Sequence, residues 1–136
     1  MIPFFGIWND WGVFAVRLIV SLIFIVHGWQ KIRNIPETVS NFSAMGFKPG
    51  IFWGPLIAIL EFFGGLALFL GFLTQPIAGL FVIEFITATI WRISKHHSFA
   101  GGYELDLLIL AAVFFLFLSG AGAFSLDRAF LFNSMW

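Results

Sequence analysis

Cysteine is absent from the 136 residues. That excludes disulfides, thiol redox chemistry, Fe–S clusters and cysteine-bound zinc within this chain. Charge is nearly as scarce. Asp, Glu, Lys and Arg make up 10% of the chain, where a soluble domain carries about 25%. The seven basic and seven acidic residues cancel, so no basic patch offers a footprint to nucleic acid. The N-terminus has no basic stretch, and no small-residue cleavage site follows the first apolar run. That run is therefore expected to stay in place as a helix, unlike a signal peptide.

What is present is hydrocarbon. Hydrophobic residues make up 60% of the sequence, twenty of them Phe, and the mean hydropathy is +0.99. Apolar runs this long read as membrane spans. The spacing predicts four of them: 12–29, 51–73, 76–92 and 103–120. Asn9 and Asp10 stand where they would cap the first. Trp8, Trp11, Trp29, Trp53, Trp91 and Trp136 fall near the expected span ends, as an aromatic belt would. Thr74-Gln75 is too short to leave the membrane surface, so spans two and three form a tight hairpin. Ala67 and Gly71 make a small-residue pair suited to close helix approach.

Between spans one and two, Pro36 and Gly46 bracket a short helix or a plain loop. If helical, Val39, Phe42 and Met45 share one face and suit the membrane interface. Residues from Ser125 onward start a second amphipathic segment with Phe130, Leu131, Phe132 and Trp136. The expected fold is all-α, an antiparallel four-helix transmembrane bundle in one domain over residues 1–136. The connectors after spans one and three hold Lys31, Arg33, Lys48, Arg92 and Lys95, against Arg128 alone on the other side. The positive-inside rule then places both connectors in the cytoplasm and both termini outside.

The few charges inside the spans carry the functional question. Intramembrane ionisable groups are expensive and face partners or wet cavities. On the first helix, Ser21, Gly28 and Lys31 fall within about 40° of Arg17, with His27 at the stripe's edge. Helical rise puts Glu61 and Glu84 near the midplane and Arg17 about one turn outward. Arg17 is expected to pair with Glu61, as neighbouring spans pack side by side. Two acids against one arginine leave excess negative charge, and a buried uncompensated carboxylate tends to take a proton. This cluster reads either as a structural ion pair or as a proton-linked ligand site. Nearer the connectors lie His27, Lys31, Arg92, Lys95 and Glu104. Glu104 and Asp106 are about 200° apart on a helix. Glu104 is expected to face inward within reach of His27, with Asp106 capping. A histidine with a pKa of about 6.5 can carry protons at neutral pH. His96 and His97 lack a third ligand partner, so no metal site is expected there.

Taken together, Arg17-Leu…His27-Gly28-x-x-Lys31, Glu61-x-x-Gly64-Gly65…Leu70-Gly71, and Gly102-Tyr103-Glu104-Leu-Asp106-Leu resemble the DoxX family of small four-helix membrane proteins. The closing Gly120-x-Gly122-x-x-Ser125-Leu126-Asp127 is similar to that family's tail. The resemblance implies a bacterial or archaeal cytoplasmic-membrane protein, associated with quinone-linked sulfur oxidation and membrane oxidoreductase complexes. It points to a subunit that binds a quinone or similar apolar ligand, with His27, Lys31 and Glu104 handling protons. Arg17, Glu61, Glu84, Arg92, Tyr103 and Asp106 form the surrounding polar cluster. Electrons must come from a soluble or membrane redox partner, because the chain has no recognisable redox centre. Two other readings stand beside this one: a non-catalytic scaffold anchoring a soluble enzyme, and a proton-linked small-solute carrier. Small-residue faces leave a homodimer open.

Overall fold

The computed structural model describes residues 3–122, 125–127 and 129. Helix α1 runs Pro3–Arg33, α2 Ile35–Met45, α3 Gly50–Leu70, α4 Thr74–Ser94 and α5 Glu104–Ser119, with a turn at Phe99–Tyr103 leading into α5. Four stretches are long and apolar enough to cross a membrane: Trp8–Arg33, Gly50–Leu70, Thr74–Ser94 and Phe99–Ser119. There is no strand among the described residues. Asn9 and Asp10, expected as a cap, lie inside α1.

The α3–α4 connection is a tight hairpin, as expected, but its turn is 71–73; Thr74 and Gln75, expected to form it, already belong to α4. Gly71 ends α3 with φ 72°, a left-handed conformation that costs a glycine little. Its N–H and that of Phe72 return to Leu68 and Ala67 carbonyls, closing the last turn. Thr74 then opens α4.

α1 packs along α3 with little room to spare. A Cβ on Gly28 would collide with the Phe62 backbone, so only glycine allows this approach. Gly65 meets Ile25 and Phe24, and Gly71 meets the Arg17 guanidinium. As α1 numbers fall, α3 numbers rise, so the two helices run in opposite directions. This register resets the depths expected from sequence. Lys31 falls level with the middle of α3, and Arg17 level with its hairpin end. Trp29 lies beside the Phe62 ring, 5.8 Å between centroids, and so sits near mid-span and away from any belt.

α1 therefore ends before α3 is covered, and α2 fills the remainder. Asn34 separates the two helices. Its side chain accepts from the Glu37 N–H, while its amide donates to Glu37 Oε2 at 2.8 Å, a reciprocal cap. Gly50 packs against Ser43 and Val39, and Gly54 against Thr38 and Val39. The Trp91 indole N–H donates to the Met45 carbonyl at 2.8 Å and ties α2 to α4. The Pro36–Gly46 segment is thus a helix, packed on the bundle rather than resting on it.

The core is a column of Val20, Phe24, Leu68, Phe81, Val113 and Leu116. Phe24 and Phe81 stack at its centre, 3.7 Å between centroids and 7° apart in plane. Phe85 meets Phe24 edge-on. Outward-facing Ile19, Val26, Phe63, Ile90 and Leu108 are exposed, as lipid-facing residues should be. The segment expected to start at Ser125 is described only at 125–127 and 129; Phe130, Leu131, Phe132 and Trp136 lie outside the described residues.

Candidate functional site

The α1 register brings Lys31 to Glu61. Lys31 Nζ donates to Glu61 Oε2 at 2.6 Å, with the carboxylate side chain 6% exposed. The Arg17–Glu61 pair expected from sequence does not form. Counting spans from their apolar centres had placed Arg17 too deep, because α1 is offset against α3. Glu84, near the middle of α4, joins the same group and interacts with both Glu61 and Lys31. Both Glu84 oxygens are buried, and neither has a hydrogen bond of good geometry. Two carboxyls thus converge on one ammonium at mid-span. The excess of acid expected from sequence is present, with Lys31 in the place assigned to Arg17.

A second ion pair lies about two turns, roughly 12 Å, further along α4. Arg92 Nε is 2.6 Å from Asp106 Oδ2. The sequence expectation had reversed the two acids of α5. Asp106 is the buried one, and Glu104 is exposed. The Glu104 carboxylate accepts from the Gly101 N–H at 3.0 Å. It holds the turn before α5 and does not reach inward to His27. Tyr103 sits in the same turn with its ring edge-on to Phe99.

These groups surround a cavity of about 910 Å³. Lys31, Glu61, Glu84, Arg92, Asp106 and the half-buried His27 all line it. Glu104, Tyr103 and Arg17 do not. Aliphatic and aromatic side chains make up the rest of the wall, with Gln30 and Thr87 as further polar groups. The size and the mix of apolar wall with a few convergent polar groups are those of a ligand site. Sequence reasoning missed Trp53, Trp91 and Phe47 as wall residues. It placed Phe42 and Met45 on one face, but assigned that face to the membrane interface; both close the cavity instead. Among the described residues, no three His, Cys, Asp or Glu side chains gather as metal ligands.

Arg17 belongs to a separate polar cluster at the hairpin end. Its Nη1 donates to the Ala121 carbonyl at 3.2 Å, its guanidinium lies over the Phe14 ring, and Asp127 supplies a negative charge that acts on it. Asp127 in turn accepts from the Leu73 N–H at 2.7 Å and the Thr74 N–H at 2.9 Å. Its own N–H donates to the Gly71 carbonyl. One carboxylate thereby caps α4 and ties the segment after α5 to the α3–α4 hairpin. The sequence signal was Ser125-Leu126-Asp127 after Gly120-x-Gly122.

Comparison with known proteins places this geometry. Residues 12–93 match the DoxX family. Inner membrane protein YqjF of Escherichia coli is 39% identical over 133 residues, covering 94% of this chain and 97% of the relative. CatD of Bacillus subtilis, provisionally named an oxidoreductase, is 32% identical over 116 residues, 85% of this chain and 84% of the relative. Inner membrane protein YphA of Escherichia coli is 29% identical over 121 residues, 82% and 85% respectively. No solved structure matches the chain.

Proposed function

The chain belongs to the DoxX family and is a multi-pass protein of the bacterial inner membrane; from that premise we propose that it binds a quinone or a similar apolar carbonyl ligand in the mid-span cavity, as a subunit of a membrane oxidoreductase system. One observation carries the reading. The group of Lys31, Glu61 and Glu84 lies in the wall of a cavity of about 910 Å³ that is otherwise mostly apolar. A few convergent polar groups in an apolar wall are what a ligand carrying a carbonyl at one end requires. The provisional name of CatD lends support to the redox part of the reading.

Reduction of a bound quinone takes up two electrons and two protons. The residues of this chain account for the proton side. Glu84 and Glu61 both lie in the cavity wall, close enough to interact. Lys31 fixes Glu61 in place through the 2.6 Å contact. Positioned acids of this kind hold and pass protons in a dry site. His27, also on the wall, is a group whose imidazole can exchange them. The Arg92–Asp106 pair marks the end of the cavity toward the basic connectors. By the Lys/Arg bias, that end faces the cytoplasm. Electrons arrive from a redox partner. Glu104 and Tyr103, outside the cavity, have no part in this scheme.

The test is direct binding. Purified protein in nanodiscs, titrated with a short-chain ubiquinone or menaquinone, should show saturable quenching of Trp53 and Trp91, the two tryptophans on the wall. Glu84→Gln should weaken it about tenfold, the cost of one charge-assisted or buried hydrogen bond, and leave the fold intact. Non-saturable quenching, equal in wild type and variant, would refute ligand binding and leave the membrane scaffold as the reading to pursue.

A further inference from the structure

The cavity wall does not end inside the protein. α3 and α4 touch closely near their hairpin, where Gly64 packs against Phe81 and Ile77. Beside and beyond that contact the facing stripes of both helices line the cavity: Trp53, Ile57 and Leu60 on α3, and Leu80, Ile83 and Thr87 on α4. Several of these wall residues are also outer surface. Ile83 is 64% exposed, Leu80 49% and Trp53 40%. The cavity is not enclosed, and the residues that are both its wall and outer surface mark where it opens. This opening lies at the depth of Glu61 and Glu84, the middle of two spans, and the surface outside it is lipid.

We propose that the space between α3 and α4 is a lateral portal to the bilayer, and that the ligand is a membrane-dissolved amphiphile with a long apolar tail. Its polar head sits at Glu84. Its tail leaves past Ile57, Leu80 and Ile83 into the lipid. A portal at mid-span admits a molecule already dissolved in the hydrocarbon, with no passage through water. The exposed aliphatic side chains at the rim match a tail and would repel a charged one. The tight α1–α3 seam at Gly28 and Phe62 offers no such gap. This inference rests on the ligand-site reading above and adds the class of ligand and its route.

The chain's lack of cysteine makes the test clean. Ile57→Cys and Ile83→Cys together place one thiol on each side of the portal, and a short bismaleimide joins them. Two probes are compared in nanodiscs: a quinone with a long prenyl tail, and its tail-free headgroup analogue. Cross-linking should weaken or slow binding of the tailed quinone about tenfold or more, since the tail then clashes with the bridge. The headgroup analogue should bind as before. The reference for both probes is the same double-cysteine protein before cross-linking. Equal binding of the tailed quinone before and after cross-linking would overturn the portal while leaving the ligand site standing. Failure of the reagent to bridge the two positions would also overturn it. Binding of neither probe to the uncross-linked protein would remove both the site and the portal.

Discussion

Lys31 and Glu61 meet across the α1–α3 seam at 2.6 Å, and the contact fixes the depth of both helices. Removing Lys31 leaves Glu61 at mid-span without its countercharge, whereas Lys31 without Glu61 still has Glu84 nearby. The Lys31 side chain is 29% exposed and so keeps some outside contact; Glu61 does not. Lys31→Met should therefore destabilise more than Glu61→Gln, and the double variant should recover part of the loss. A coupling of about 0.5–3 kcal/mol is expected for such a pair. Unfolding of the four proteins in detergent measures it, and strictly additive losses would show that the contact contributes nothing.

Asp127 should matter for stability and not for ligand. Asp127→Asn keeps one acceptor for the Leu73 and Thr74 N–H groups but removes the charge facing Arg17; Asp127→Ala removes both. Loss of a capping side chain costs about 0.5–2 kcal/mol, so the alanine variant should melt at lower temperature than the asparagine one. Quinone titration of either variant should match wild type. A selective loss of binding would connect the two polar clusters in a way the geometry does not suggest.

The stacked Phe24 and Phe81 lie between the two clusters. Along α1, Phe24 falls between Arg17 and Lys31; along α4, Phe81 falls between Thr74 and Glu84. Both rings are fully buried, as are Leu68 and Val113 at the same level. An apolar plug of this kind gives protons no hydrogen-bonded path from one face to the other. Proteoliposomes holding the protein should keep an imposed pH gradient as long as protein-free vesicles do. A gradient that collapses in the wild type would favour the proton-linked carrier over the oxidoreductase subunit.

Orientation has its own test. Five Lys and Arg residues on one set of connectors against Arg128 on the other should place that set in the cytoplasm. A reporter fused after Trp136 should then be active only on the outside. Activity in the cytoplasm would exchange the two faces and put the Arg92–Asp106 end of the cavity outside.

The four spans were legible because hydrocarbon runs and turn residues act locally. Arg17, Ser21, Gly28 and Lys31 were legible as an inward stripe for the same reason, since helical angle is a local property. Their partners were not. Arg17 and Lys31 share one face, and only the offset of α1 against α3 decides which of them meets Glu61. That offset is set by Gly28 against Phe62, a contact between residues far apart in the chain. Glu104 and Asp106 show the same limit. Two acids on opposite faces can be told apart only once the neighbouring helix is in place, and the residue that decides is Arg92. The cavity itself was not legible. It is the space that α3 and α4 leave between them, closed at one end by a helix that a loop reading would have erased.

The Asp127 cap also has a consequence for biogenesis. The residues it secures, Leu73 and Thr74, are synthesised long before it. During translation the α3–α4 hairpin enters the membrane with its turn N–H groups still waiting for their acceptor, and Arg17 still waiting for its countercharge. Both are supplied at once, after α5 has been made. A chain interrupted before Asp127 therefore carries every span and still lacks the fastening at its hairpin end.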